Sequence, residues 1–336
     1  MFTIWSKKNK RNYQEDRWNT IKGTNDAYPW LFSVYDGHGG DKTSTYLSDT
    51  FGPLLRELVS KYNPERHQPE IEKVVLHHFE KMDEYLKKKK IRDGSTVTGV
   101  LVWPRQSLFF NLGDSRTAVY NCDGEWIWET VDHKPDTPAE QARISGVNAM
   151  IGKKICSISK SSRSDVSRVT KRGAGTRLAL SRAMGDFDLK HNGKSFCVSS
   201  VPDLTWRTTE AGYIVVASDG IWDAEDRYGT KMFRKQIYDT VQLCLESDHV
   251  QDERICDKIA DVLEMMGQQE SDNQTVIVVD MCSIKSIPRR SSRADMQLKK
   301  EMVQKERNWY DRLFGVPEDV EQTVAYEDSA AGWTLV

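Results

Sequence analysis

The sequence is poor in the features that mark secreted, membrane-bound or nucleic-acid-binding chains. Its six cysteines stand at 122, 156, 197, 244, 256 and 282, with no C-x-x-C pair and no short framework spacing. Such usage suits a reduced intracellular compartment better than a disulfide scaffold. No apolar run approaches the roughly 20 residues of a membrane span. The opening Met1-Phe2-Thr3-Ile4-Trp5-Ser6-Lys7-Lys8 lacks the core of a signal peptide, and Phe2 stands where myristoylation needs glycine. An excess of either charge is also missing. With 48 Lys and Arg against 50 Asp and Glu, global electrostatics favours neither a nucleic acid nor a membrane surface as partner. The expected setting is cytoplasmic, nuclear or both. The 38% apolar and 29% charged fractions are those of an ordinary globular protein.

Short strand-like runs alternate with amphipathic helical stretches. Leu31-Phe32-Ser33-Val34-Tyr35 reads as a buried strand, and residues 2–5 as a short first one. Helical patterns run over 43–62 and 69–90; in the second, Pro69 opens the first turn and Ile71, Val75, Phe79, Met82 and Leu86 form one stripe. Strand formers fill 97–103, 107–112, 115–121 and 125–130. Pro104-Arg105-Gln106, Gly113-Asp114 and Asp123-Gly124 divide them, and each predicts a hairpin turn. A strand at 214–217 leads to two helices, one lined by Phe233, Ile237, Val241 and Cys244, the other by Ile255, Ile259, Val262 and Met266. A strand at 275–279 follows. Hairpin succession with helices inserted in pairs predicts antiparallel sheets flanked by helices, not a doubly wound parallel sheet.

Two segments differ from the rest. Residues 153–177 hold eight basic side chains against one acid, Asp165, with serine and glycine between them; this predicts a mobile basic loop. From residue 283 the chain turns polar and charged. The expected division is a folded domain over 1–282 and a tail over 283–336 with one short helix near 297–314.

The chemistry concentrates at strand ends. Asp36 follows the 31–35 run and precedes Gly37-His38-Gly39-Gly40; Asp219, beside Gly220, follows Tyr213-Ile214-Val215-Val216-Ala217; Asp272 precedes the last strand. A sheet holds such carboxylates in place, and glycine beside them permits close backbone approach. Oxygen ligands of this kind suit Mg²⁺ or Mn²⁺, and the Glu15-Asp16 pair adds two more. Two divalent ions sharing a carboxylate lower the pKa of a water and neutralise a phosphoryl group. His38 titrates in the range of a proton donor to an alkoxide leaving group. Arg11 can fork onto two phosphate oxygens. Taken singly, each of these residues reads as an ordinary turn, cap or solvated side chain; their co-occurrence in order favours a metal-dependent phosphoester hydrolase.

That order resembles the metal-dependent serine/threonine protein phosphatases of type 2C, over about residues 11–279. Arg11 with Glu15-Asp16 is similar to the family's R-x-x-x-E-D, and Val34-Tyr35-Asp36-Gly37-His38-Gly39-Gly40 to its signature. Gly94-Ser95-Thr96, Asn111-Leu112-Gly113-Asp114-Ser115-Arg116, Asp132-His133-Lys134-Pro135, Leu180-Ser181-Arg182-Ala183-Met184-Gly185-Asp186, Ala217-Ser218-Asp219-Gly220-Ile221-Trp222-Asp223 and Asp272-Asn273-Gln274-Thr275-Val276 follow in the expected sequence. The resemblance implies an α+β fold, a four-layer α-β-β-α sandwich of two packed antiparallel sheets. It implies hydrolysis of phosphoserine and phosphothreonine by direct attack of a water activated by two metals. Asp36 would bridge them, with Gly37 through its carbonyl, Asp219, Asp272, Asp16 and Glu15 as further ligands. His38 would be the acid and Arg11 the phosphate holder. A third, weaker ion would lie at Asp132 with Asp219 or Asp223. No cysteine has arginine six positions on, so no thiolate nucleophile is needed.

The resemblance also places a substrate-proximal flap near 190–200; the basic stretch before it, a departure from the family's pattern, either attracts acidic phosphoprotein segments or an acidic regulator, or is a solvated insertion. Arg289-Arg290-Ser291-Ser292 fits a basophilic kinase site. The terminal Trp333-Thr334-Leu335-Val336 fits strand addition to a PDZ domain. The competing readings are a catalytically dead binding module on the same fold and a small-molecule phosphatase. The first would typically have lost a ligand, His38 or Arg11, and none is missing.

Overall fold

The computed structural model describes residues 1–24, 28–161, 164–191, 195–208, 212–223, 233–246, 255–267 and 272–285. The chain divides into compact units Met1–Arg290 and Ser291–Val336. The second unit, the 297–314 helix, the kinase motif and the C-terminal motif lie outside the described residues.

Two five-stranded sheets make the frame. The first runs β1 (Phe2–Lys7), β16 (Gln274–Asp280), β15 (Tyr213–Ala217), β8 (Arg116–Tyr120) and β9 (Trp126–Glu129). The second runs β14 (Asp203–Thr208), β7 (Gln106–Leu112), β6 (Val97–Val102), β3 (Trp30–Tyr35) and β2 (Arg17–Ile21). Every pairing in both is antiparallel. Side-chain alternation along a strand decides which layer each residue joins. Ile214, Val216, Ile277 and Val279 turn inward onto Phe32, Val34, Val100 and Phe109 of the facing sheet. Val215, Ala217, Val276 and Val278 turn outward, onto Ile237 and Val241 of α6 (Phe233–Glu246) and Ile259 and Leu263 of α7 (Ile255–Gly267).

On the opposite face Tyr35 and Phe110 meet Phe51 and Phe79, carried by the stretch around α1 (Lys42–Tyr46) and α2 (Gly52–Val59) and by α3 (Gln68–Lys88). The result is the expected α+β sandwich of four layers. Burying each large aliphatic or aromatic side chain here contributes about 1.5–3 kcal/mol. Among the described residues no helix is long and apolar enough to cross a membrane.

Three expectations fail in instructive ways. Gly113-Asp114 is no hairpin turn: β7 belongs to one sheet and β8 to the other. The segment between them crosses the sandwich, using a left-handed Gly113 (φ +113°) packed on Thr96.

The basic stretch is ordered where it is described. β10 (Cys156–Ser161) and β11 (Ser164–Lys171) pair as an antiparallel hairpin, extended by β12 (Arg177–Leu178). Cys156 and Val169 bury one face of it against Leu189, Phe196 and Val198. A helix the periodicity did not predict, α4 (Pro138–Ile151), lies beside it. Part of the expected flap is packed: Lys190, Phe196, Cys197 and Val198 are buried, while His191 and Ser195 are exposed.

The third failure concerns the thiols. Cys156 and Cys197 form a disulfide, because the hairpin and the 196–198 segment pack into one apolar cluster that faces the two side chains onto each other.

Candidate metal centre

Antiparallel register sends the acidic strand ends to one end of the sandwich. Arg17 pairs with Tyr35 and Val97 with Leu112 in one sheet; Ala217 pairs with Val276 and Arg116 in the other. The residues just beyond these ends are Asp16, Asp36, Asp114, Ser218-Asp219 and Asp272-Asn273. Cross-sheet bonds tie the ends together. Ser218 Oγ donates to Asp16 Oδ2 at 3.0 Å, and the Glu15 amide donates to Asn273 Oδ1 at 2.9 Å. Gly37 is required for this: a Cβ there would come 2.6 Å from the Glu15 carbonyl oxygen and 2.8 Å from Ser44 Oγ. The Glu15-Asp16 backbone therefore lies directly against Asp36-Gly37.

The carboxylates resist their own ionisation. Burial pushes Asp36 and Asp219 well above the usual range, and each is raised further by neighbouring carboxylates: Asp219, Asp16 and Asp114 around Asp36, and Asp114 and Asp272 around Asp219. Asp36 and Asp219 are within hydrogen-bonding reach of each other. Asp16, wholly buried, is raised to about 6 by burial, against the hydroxyls of Thr275 and Ser218 that favour its charge. Asp114 is also raised to about 6 by burial, with Lys134 opposing and Asp132 and Asp223 adding to the rise.

The outer acids meet cationic side chains. Arg11 Nη2 donates to Asp272 Oδ2 at 2.7 Å, Arg116 donates to both oxygens of Asp132 at 3.0 Å, and Lys134 Nζ donates to Asp223 Oδ2 at 3.1 Å.

Hard-cation binding fits this donor set. Among the described residues Asp16 Oδ1 is buried without a hydrogen-bond partner, and desolvating such an acceptor is costly. All the side-chain donors are oxygens. Among the described residues, no three His, Cys, Asp or Glu side chains stand ready around one point; the carboxylates are neighbours in the fold and not a finished coordination shell.

His38 is placed by a three-stranded ribbon of β13 (Met184–Gly185), β5 (Gly94–Ser95) and β4 (Gly37–His38). Its Nε2 lies 2.8 Å from Asp186 Oδ2. Burial alone would lower the imidazole, but the Asp186 carboxylate and its hydrogen bond, with Asp114 and Glu15, outweigh that and raise it. Asp186 has a left-handed backbone (φ +50°), an uncommon conformation that aspartate tolerates. Beneath it, Lys190 Nζ is fully buried and donates to both oxygens of Asp83 and to the Ala183 carbonyl, while the Gly185 amide donates to Asp83 Oδ1.

The sequence reading assigned no role to Asp114 or Asp186. Both lay in motifs it quoted, Gly113-Asp114-Ser115-Arg116 and Met184-Gly185-Asp186. The crossover and the ribbon bring them beside Asp219 and His38. Asp132 and Glu15 sit at the margin of the group, the first with both oxygens on Arg116.

Comparison with known proteins agrees with this architecture. The family model for protein phosphatase 2C matches residues 7–272. Bovine protein phosphatase 1B is 30% identical over 293 residues, covering 80% of this chain and 54% of that protein. The mouse protein of the same name is 30% identical over 295 residues, covering 81% and 67%. The chain thus spans about half the length of the bovine relative. A crystal structure of serine-threonine phosphatase 2C from Toxoplasma gondii superposes with a TM-score of 0.60 at 22% identity, over 83% of this chain and 94% of that one. A C. elegans sex determining protein gives 0.63 at 19%, over 85% and 66%. These two share the fold. With the family model matching residues 7–272, which include Asp16, Asp36, Asp114, Asp219 and Asp272, this chain belongs to the protein phosphatase 2C family.

Proposed function

We propose that the chain is a Mg²⁺- or Mn²⁺-dependent protein phosphatase acting on phosphoserine and phosphothreonine in protein substrates. The observation that carries this reading is the convergence of Asp16, Asp36, Asp114 and Asp219 at one end of the sandwich, where burial raises every carboxylate and neighbouring acids, Asp272, Asp132 and Asp223 among them, add to the rise. Such a group is stable and charged near neutral pH only beside cations.

Asp36, the Gly37 carbonyl, Asp219, Asp272 and Asp16 would hold two divalent ions, with Glu15 at the edge. Asp114, with Asp219 or Asp223, is the better candidate for a weaker third site than Asp132, whose oxygens both accept from Arg116. When bound, such ions neutralise phosphoryl charge and lower the pKa of a water enough to make it a nucleophile. The chain's own residues do the rest. Arg11, half exposed beside Asp272, orients the phosphate through its guanidinium fork. His38, with Nε2 turned to Asp186, delivers a proton from Nδ1 to the departing serine or threonine oxygen. Asp186 fixes the ring and stabilises its protonated form.

Dephosphorylation of a phosphothreonine peptide, measured with Mn²⁺, with chelator and with Asp36→Asn, tests the reading. Turnover should need the metal and vanish in the variant. Chelator-resistant turnover would refute the metal dependence; no turnover with Mn²⁺ or Mg²⁺ would refute the enzyme.

A further inference from the structure

Two exposed thiols meet at the end of the first sheet away from the acidic group. Cys122 lies in the turn between β8 and β9, and Cys282 in the first turn of α8 (Met281–Lys285). They are 160 residues apart in sequence, yet their sulfurs are 3.7 Å apart, in van der Waals contact. Neither belongs to the disulfide.

Both backbones are held firmly. Asn121 Oδ1 accepts from the amides of Asp123 and Glu125, which fixes the turn around Cys122. Asp280 Oδ1 accepts from the amides of Cys282 and Ser283, which fixes the start of α8. Gly212 joins the two: its amide donates to the Tyr120 carbonyl at 2.8 Å, and its carbonyl accepts from the Met281 amide at 2.9 Å. A Cβ on Gly212 would overlap the Asn121–Cys122 peptide, so glycine is what lets these segments approach. The approach of the two backbone segments is therefore built by the fold.

We propose that Cys122 and Cys282 form a reversible intramolecular disulfide by exchange with small-molecule disulfides such as oxidised glutathione. One cysteine thiolate attacks a sulfur of the glutathione disulfide, forming a protein–glutathione mixed disulfide and releasing one glutathione thiolate. The second cysteine thiolate then attacks the protein sulfur, forming the Cys122–Cys282 bond and releasing the second glutathione thiolate. Two protons and two electrons leave the protein, and two glutathione thiols form. The second step is intramolecular and starts from contact, which favours it over persistence of the mixed disulfide. The sulfurs have to close from 3.7 Å to the bond length of about 2.0 Å. Cys256, by contrast, is buried and accepts from Thr3. The bridge would pin α8, the last described element, to the β8–β9 turn. It would close a loop containing β15, α6, α7 and β16.

The full chain, reduced and freed of reductant, is incubated with oxidised glutathione and mapped by mass spectrometry without reduction. A Cys122–Cys282 linked peptide, with no glutathione on either residue, is expected. Cys122→Ser should retain glutathione on Cys282, and Cys282→Ser on Cys122. Oxidation should raise Tm by about 5 °C or more, reversibly, by constraining the unfolded chain. The double serine variant, in which only the Cys156–Cys197 bond can re-form, should show a smaller rise while keeping the basal phosphatase activity. Glutathione remaining on both cysteines of the unaltered protein, disulfide-linked dimers in place of the linked peptide, or unreacted thiols would each overturn the proposal.

Discussion

His38 Nε2 and Asp186 Oδ2 stand 2.8 Å apart across Gly94, whose position leaves no room for a side chain because a Cβ there would overlap both groups. The ribbon register explains this: β5 is the central strand, so Gly94 lies between His38 on one side and Gly185 on the other. The imidazole, its carboxylate partner and the residue that spaces them come from three separate parts of the chain.

Gly94→Ala should therefore impair proton delivery without touching a carboxylate ligand. We expect kcat on a phosphothreonine peptide to fall about 10²–10⁴-fold, the usual contribution of a general acid. On an aryl phosphate, whose leaving group needs no proton, the loss should be much smaller. Asp186→Asn should show the same selectivity without steric strain. Equal losses on both substrates, with circular dichroism unchanged, would remove His38 from the role of acid.

Asp114 and Asp132 should separate in a metal titration. Asp114→Asn takes a carboxylate from beside Asp219 and should weaken Mn²⁺ binding measured by calorimetry. Asp132→Asn should leave the stronger binding steps nearly intact. It should instead destabilise the protein by about 1–3 kcal/mol in denaturant, through loss of the paired bonds from Arg116. The reverse pattern would restore Asp132 as the ligand.

Lys190→Met should be among the most damaging single changes. The ammonium is fully buried on Asp83, and removing it leaves an uncompensated buried carboxylate, a loss of about 3–5 kcal/mol. Pairing it with Asp83→Leu should recover part of that loss in urea unfolding, since an apolar pair needs no partner. No recovery would mean that the bonds to Ala183 and Gly185 matter more than the charge.

His78 predicts an acid-sensitive fold. Burial lowers this imidazole from 6.5 to about 4, partly offset by its contact with the Phe51 carbonyl. The unfolded chain binds the proton first, so the stability contributed by neutral His78 is complete above pH 6.5. It is lost as pH falls toward 4, by on the order of 3 kcal/mol across that window. Urea midpoints at pH 7 and pH 4.5 should differ less in His78→Leu than in the unaltered protein. An equal pH dependence would locate the effect elsewhere.

The basic hairpin should act through long-range charge. Lys153, Lys154 and Arg172 are exposed, whereas Lys171 is engaged by the Lys190 carbonyl and the Phe196 ring. Neutralising the exposed three should raise KM for an acidic phosphopeptide and flatten its dependence on ionic strength. Unchanged kinetics would leave the hairpin with a structural role alone.

What the sequence made legible was whatever depends on local periodicity and motif order. The stripe from Ile71 to Leu86 became the buried face of α3, and the alternating runs became β3, β6, β7 and β16. Asp36 and Asp219 stand at strand ends, as their neighbours implied. α4 escaped notice because the helix is anchored partly by charge: buried Glu140 binds Arg143 and Arg182, and Ile144 is its one fully buried apolar side chain. The basic stretch looks irregular because its strands bury one face only, against partners such as Leu189 and Phe196 supplied by other segments.

Residue identity alone carried the family resemblance, the oxygen-rich chemistry and the layered α+β class, since these follow from local patterns and from their order along the chain. Tertiary structure decided which acids share a neighbourhood, that Asp114 arrives by crossing between sheets, that Asp186 holds His38, and that Cys156 meets Cys197. Those outcomes depend on register and on the packing of distant segments, where a neighbour's burial and charge reset what a side chain can do.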